Sequence, residues 1–183
     1  MEPTLVERAR HGDRDAFAAL VAESIDRLYS IAHRILRDPE AARDATQQAL
    51  LEAWRDLPTL RDATRWEAWT YRLLVRTCYR AARRERRSGS PVRLLPLDAA
   101  EGDTVAAVAD RDEIERGFRS LSPEHRAVVV LHFYAGLSLT EVARALSIPT
   151  GTARSRLHAA RNRLRAAIGE GRELPARTEG QPT

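Results

Sequence analysis

Lysine is missing altogether from the 183 residues: all 30 basic side chains are Arg, set against 26 acidic ones, for a formal charge of +4. That absence excludes no function, because GC-rich coding produces the same usage. Cysteine occurs once, at Cys78. A single thiol rules out an intramolecular disulfide or a cysteine zinc site and fits a reducing compartment. Its neighbours make it a helix residue, where a free Cys is ordinarily buried and not a redox sensor. No run of about eighteen apolar residues occurs, and the start, MEPTLVERARHGD, has no apolar stretch of signal-peptide length. The chain is therefore expected to be soluble and cytoplasmic, without membrane insertion. Gly-rich phosphate loops, H-x-E motifs with paired Cys and clustered carboxylates are also missing, so no enzyme, catalytic residue or cofactor is expected. His125 and His132 are two helical turns apart, but with no Cys or carboxylate at ligand spacing they are read as ordinary helix residues and no metal is expected.

What is present is a segregated charge. Residues 65–87 hold eight Arg and two Glu, and residues 121–169 hold seven Arg and two Glu. Between them, 88–113 carries six acids and two Arg. Two basic blocks on either side of an acidic spacer suggest two contacts with one polyanion.

The later block contains the most specific signal, LSLTEVARALSIPTGTARSRLHAARNRLR. Ser138 and Glu141 form an S-x-x-E capping box that starts a helix. Val142, Ala145 and Leu146 give it an apolar stripe, and Ser147-Ile148-Pro149 breaks it. A second helix then begins at about Pro149 or Thr150, with Ala153, Leu157, Ala160, Leu164 and Ile168 on one face. Gly151, Ser155, His158 and Asn162 lie opposite, flanked by Thr152, Arg154, Arg161, Arg163 and Arg165. Small polar groups at the start and guanidiniums along the length suit a recognition helix in a major groove. A helical hairpin with a merely solvated basic face is the blander alternative.

The rest of the chain reads as helix too. Asp13 caps a helix with Phe17, Leu20, Val21, Ile25, Leu28, Ala32, Ile35 and Leu36 at helical spacing, a core face with no chemistry assigned. Asp38-Pro39-Glu40 opens the next, which runs to about Arg55 and is stopped by Pro58. Its Ala42, Ala45, Ala49, Leu50, Ala53 and Leu57 point inward. Asp44, Gln47, Gln48 and Leu51 point outward with Trp54 beside them, the composition of a protein interface. LPTLRDAT is a loop. A long helix from Arg65 to about Arg87 follows, with Trp66, Trp69 and Tyr71 near its start, Trp69 read as core. Arg72, Arg76, Arg80 and Arg83 make one charged stripe, which repels itself unless an anion lies along it. Aromatics interleaved with Arg suit single-stranded nucleic acid. The composition of 88–110 is that of a flexible linker with a transient turn at 94–97, helix resumes near Arg111, Ser122-Pro123-Glu124 opens another helix, and 170–183 reads as a disordered tail.

The expected fold is all-α: a helical domain at 1–87, a linker at 88–110, and a helix-turn-helix domain at 111–169. DATQQALLEAWRDL, then AWTYRLLVRTCYRAARR, then the linker and LSPEHRAVVVLHFYAGLSLTEVARALSIPTGTARSRLHAARNRLR, resembles the extracytoplasmic-function group of bacterial RNA polymerase sigma factors over roughly Asp15 to Ile168. The resemblance implies a transcription initiation factor whose partners are bacterial core RNA polymerase, promoter DNA both duplex and single-stranded, and, as is common in the family, an anti-sigma factor. It implies that Asp44, Gln47, Gln48, Leu51 and Trp54 meet the clamp coiled coil of the polymerase large subunit. It further implies that Leu60, Arg61, Asp62 and Thr64 form a base pocket for the minus-ten element, with Arg72, Arg76, Arg80 and Arg83 on the melted strand. Thr150, Gly151, Thr152, Arg154, Ser155, Arg156 and His158 are implied to read the minus-thirty-five element. Gln48 stands where the family usually has an acid, Arg76 and Arg80 where Asn and Asp are frequent, and Ala159 where Arg is frequent. The rival reading is a helix-turn-helix regulator with a ligand-sensing N-terminal domain; that domain would hold an apolar pocket in place of an exposed Gln, Leu and Trp face.

Overall fold

Four of the helices begin where a short polar side chain, Asp13, Asp38, Ser122 or Ser138, satisfies the first free backbone N–H groups. In the computed structural model, which describes residues 3–88 and 115–168, Asp13 Oδ1 accepts from the Ala16 amide at 3.0 Å and starts α2 (Arg14–Leu36). Asp38 Oδ1 accepts from the Ala41 amide at 2.7 Å and starts α3 (Pro39–Asp56), with Pro39 in its first turn. Two 3-10 turns, Leu57–Thr59 and Ala63–Arg65, lead into α4 (Trp66–Ser88). A short helix not expected from the sequence, α1 (Pro3–Arg10), precedes them. Its apolar content is small, and it holds by burying Val6 and Ala9 against its neighbours.

These four helices form one bundle. Ala42, Ala45, Ala49 and Ala53 line the inner face of α3 and are all buried. Such small side chains let α4 come close enough for the Thr77 hydroxyl to donate to the Ala45 carbonyl at 3.0 Å. Leu20, Leu28, Ile31 and Ile35 of α2 and Leu74 and Cys78 of α4 fill the centre. Burial pushes the Cys78 thiol up to about 12, which makes it an inert core residue.

Residues 115–120 are helical and lead to α5 (Pro123–Val129), capped by Ser122. The chain then widens into a π-helical turn, Val130–Tyr134, closed by the Ala135 amide on the Val130 carbonyl at 2.9 Å. Gly136 follows at φ 81, where a side chain would be strained. The helix α6 (Leu139–Leu146) carries the full capping box: Ser138 N–H donates to Glu141 Oε2 at 2.8 Å, and the Glu141 amide donates to the Ser138 hydroxyl. It ends at Ser147, φ 54, two residues before the proline expected to break it. The last helix, α7 (Thr150–Ile168), buries Ala153, Leu157, Ala160 and Leu164 against α5 and α6.

The two bundles are not held apart. α4 packs directly on α6, and α2 meets α5 and the π turn. The composition-based linker, its turn at 94–97, the restart near Arg111 and the tail at 170–183 lie outside the described residues, apart from Ser88, which belongs to α4. Among the described residues no helix is long and apolar enough to cross a membrane.

Candidate polymerase face and nucleic-acid interface

The outer side of α3 is a surface with an apolar centre. Asp44, Gln47 and Gln48 are exposed, Leu51 is 64% exposed and Trp54 37% exposed. Trp54 is fixed by the Phe17 ring, whose centroid lies 4.8 Å away. A Leu this open, on a helix whose opposite side is well packed, is left uncovered by the described residues. Between this face and α4 runs a groove of about 560 Å³, lined among others by Gln48, Leu51, Arg80 and Arg84. Glu52 is buried beneath it and pairs with Arg80, and Gln48 Nε2 donates to Glu52 Oε1 at 3.4 Å.

The loop after α3 is shaped by one carboxylate. Asp62 Oδ1 accepts from the Thr64 amide at 3.0 Å and its hydroxyl at 2.6 Å, and Oδ2 accepts from Arg65 Nε at 3.0 Å. Those bonds, the Thr64 hydroxyl first, hold the Asp62 carboxyl below the ordinary carboxylate range. Arg61, Asp62 and Thr64 are exposed. Leu60 is not: its side chain is 6% exposed and its carbonyl accepts from Arg10 at 3.1 Å. Leu60 thus positions the loop from below, and the surface is made by the three residues after it.

Along α4 the stripe is real. Arg72, Arg76, Arg80 and Arg83 are all exposed, and of these Arg80 is drawn to Glu52. Trp66 is buried and Trp69 half-buried beside it, so both serve the core and neither is a free stacking platform. At the start of α7, Thr150, Gly151, Arg154, Ser155 and His158 are exposed, with Thr152 and Arg156 half-buried. Ser155 donates to the Thr152 carbonyl at 3.0 Å, and Asn162 bridges to His158 at 3.1 Å. A Cβ placed on Gly151 would meet nothing within 4 Å. The helix start therefore offers open backbone N–H groups and guanidiniums to an anion.

A helix-turn-helix and an exposed Gln, Leu and Trp face on one chain are matched by two family models. Residues 20–88 match sigma-70 region 2, and residues 117–166 match sigma-70 region 4. The RNA polymerase sigma-E factor of Streptomyces avermitilis is 33% identical, covering 91% of this chain and 92% of its own length. The chain belongs to the extracytoplasmic-function sigma factors. The RNA polymerase sigma-H factor of Pseudomonas aeruginosa is 30% identical over 90% of this chain and 92% of its own. The sigma factor SigL of Mycobacterium tuberculosis is 34% identical over 83% and 88%. Two solved structures share the fold: CnrH in complex with the cytosolic domain of CnrY, TM-score 0.67 and 23% identity, covering 91% of this chain and 96% of that one; and RpoE in complex with the anti-sigma factor NepR from Bartonella quintana, TM-score 0.71 and 22% identity, covering 85% and 98%. As a sigma factor, this chain directs RNA polymerase to promoters in transcription initiation.

The sequence reading grouped the site residues as the structure does, on α3, on the loop with α4, and on α7. It did not find Arg84 on the groove wall, nor the charged residues Arg37 and Glu115 between the bundles. Arg37 sits between an apolar stripe and a helix cap, and no pattern marks its side chain as buried.

Proposed function

We propose a division of labour among three surfaces. The α3 face, Asp44, Gln47, Gln48, Leu51 and Trp54, docks on core RNA polymerase. Leu51 supplies the apolar anchor and the polar residues its rim. The loop Arg61, Asp62 and Thr64, seated on Leu60, accepts an unstacked base of the minus-ten element, and Arg72, Arg76, Arg80 and Arg83 track the strand that carries it. Extruding a base costs a few kcal/mol, and pocket or stacking contacts of about 1–3 kcal/mol per base offset it, so melting needs no hydrolysis by this chain. The start of α7, Thr150, Gly151, Thr152, Arg154, Ser155, Arg156 and His158, reads the minus-thirty-five duplex by base-edge contacts positioned on phosphates.

The observation that carries this reading is Leu51, exposed to 64% on an otherwise well-packed helix. The domain limits proposed are 1–87 and 111–169, joined by 88–110. A chain so built acts on polymerase in the cytoplasm and catalyses nothing itself. An anti-sigma factor is proposed as a further partner, by analogy with the RpoE–NepR complex above. Run-off transcription with purified core polymerase tests the whole: transcripts should require this chain. Arg154→Ala should weaken upstream-duplex binding by about 1–3 kcal/mol with polymerase affinity unchanged, and equal loss of both would refute the division.

A further inference from the structure

One guanidinium reaches across the fold to the loop that carries the base-pocket residues. Arg10, the last residue of α1, donates from Nη1 to the Leu60 carbonyl at 3.1 Å, 50 residues away in sequence. Its Nη2 lies 3.2 Å from Glu7 Oε2, one turn back on α1, so the side chain is aimed from two sides and is only 28% exposed. Leu60 is thereby held at every group it has. Its N–H donates to the Leu57 carbonyl at 3.0 Å, its carbonyl accepts from Arg10, and its side chain is in the core. Arg61 and Asp62 follow at once, both exposed, and Asp62 in turn fixes Thr64 and Arg65. The three exposed residues therefore inherit their position from Leu60, and Leu60 takes its own from α1.

α1 is itself built as a fixed point. Val6 and Ala9 are buried and Leu5 packs on the core. A turn through Gly12, at φ 93, brings the chain to α2, and there Arg8 closes on the residue that caps it. Arg8 Nη2 lies 2.7 Å from Asp13 Oδ2, Arg8 Nε donates to the same oxygen at 2.9 Å, and the Asp13 amide donates to the Arg8 carbonyl at 3.2 Å. α1 also touches both 3-10 turns that flank Leu60. Beyond the second turn, buried Trp66 sets its ring edge-on to Phe17 of α2, with centroids 6.2 Å apart. Apolar burial alone would seat α1 on the bundle, but it does not explain a guanidinium drawn onto a loop carbonyl. That bond is made by a rigid, charged donor, which fixes geometry as well as adding strength.

A pocket separates one base from another by hydrogen bonds that have to be placed to within about 0.5 Å. A loop free to shift would be ordered only on binding and would re-pack around the wrong base. We propose that α1 braces the base-pocket loop, and that Arg10 is a positioning residue for base selection at the minus-ten element. Arg10 touches no nucleotide and acts through the Leu60 carbonyl. The inference rests on the reading of Arg61, Asp62 and Thr64 given above.

Two measurements on the full chain test it, with Arg10→Met, Arg10→Lys and Asp62→Ala beside wild type. Amide hydrogen exchange of the free chain reads residues 57–65. Fluorescence anisotropy of the holoenzyme reads a discrimination ratio between two labelled oligonucleotides. One is the non-template strand of a promoter found by run-off transcription; the other carries a single change at the minus-ten base to which wild type is most sensitive. Arg10→Met should speed exchange across the loop and lower the ratio by about 3- to 10-fold, the scale of one hydrogen bond, with helix content and core polymerase affinity unchanged. Arg10→Lys keeps a cationic donor and should recover most of both. Lowered thermal stability with a wild-type ratio would make the contact merely structural and overturn the proposal. A ratio moved by Asp62→Ala but not by Arg10→Met overturns the brace and spares the pocket, whereas a ratio moved by neither removes the pocket reading and this inference with it. If Arg10→Met fails to fold, Val6→Ala, which loosens the seat of α1, decides: the same two shifts support the brace, and wild-type exchange and ratio overturn it.

Discussion

The contact of α3 with α4 and the seam between the bundles are both helix packings, yet they are made of different materials. The first is lined by Ala42, Ala45, Ala49 and Ala53 and crossed by the Thr77 hydroxyl on the Ala45 carbonyl. The second is centred on Arg37 and Glu115 and edged by arginines. Small apolar side chains allow close, dry contact that nothing in water replaces, so the first contact belongs to the fold. The pair at the second is buried, and removing one partner of such a pair leaves an uncompensated charge that costs about 3–5 kcal/mol. The two contacts thus differ in the side chains at their centres, within one chain and along the same helix α4.

The sharpest way to break this comparison is to cut into the dry contact. Leu74, wholly buried in α4, should cost about 2–5 kcal/mol when replaced by Ala. Chemical denaturation should show that loss, with transcription failing because the bundle fails. Leu51→Ala should do the reverse. Its side chain is open, so stability should stay within about 0.5 kcal/mol of wild type. Core polymerase affinity should fall by about 2 kcal/mol or more, if Leu51 is the anchor of its face. A stability loss at Leu51 comparable with that at Leu74 would mean that the α3 face is structural after all.

Much of this was legible from residues alone. The caps at Asp13, Asp38, Ser122 and Ser138 set helix starts to within a residue, because a side chain that satisfies free amides is a local device. The outward set on α3 followed from period, and its exposure agrees. Contacts between distant segments were not legible. α1 is too short for its own pattern to announce it and exists by docking. Leu60 looked like part of a surface loop but is drawn into the core, since loop composition does not say which residue turns inward. Arg37 and Glu115 are ordinary charges in sequence, and only the approach of the two bundles makes them a buried pair.

Gly151 sharpens the contrast between packing and reading. In most helices a Gly is a defect that Ala repairs by about 0.5–1 kcal/mol. Open space surrounds the missing Cβ here, so Gly151→Ala should leave the fold as stable as wild type or slightly more so. If the backbone there lies against DNA, the same methyl should weaken upstream-duplex binding in a titration. Undiminished binding would remove Gly151 from the reading surface and leave Arg154 and its neighbours to carry it.

The smallest effect should come from Cys78, inside the dry contact. Burial raises its thiol to about 12 from an ordinary 9.0, so the folded chain holds the neutral form where the unfolded chain has begun to ionise. Its contribution is complete below pH of about 9 and is lost progressively as pH rises from there toward 12. Stability of the wild type should therefore decline over that alkaline range more steeply than that of Cys78→Ala, measured by denaturation at each pH. A thiol reagent at neutral pH should modify Cys78 only at the rate at which the bundle opens. Because the residue lies in the first kind of contact and not the second, Glu115→Gln should leave that rate unchanged; acceleration would mean that the two bundles open as one unit and that the seam is part of the fold.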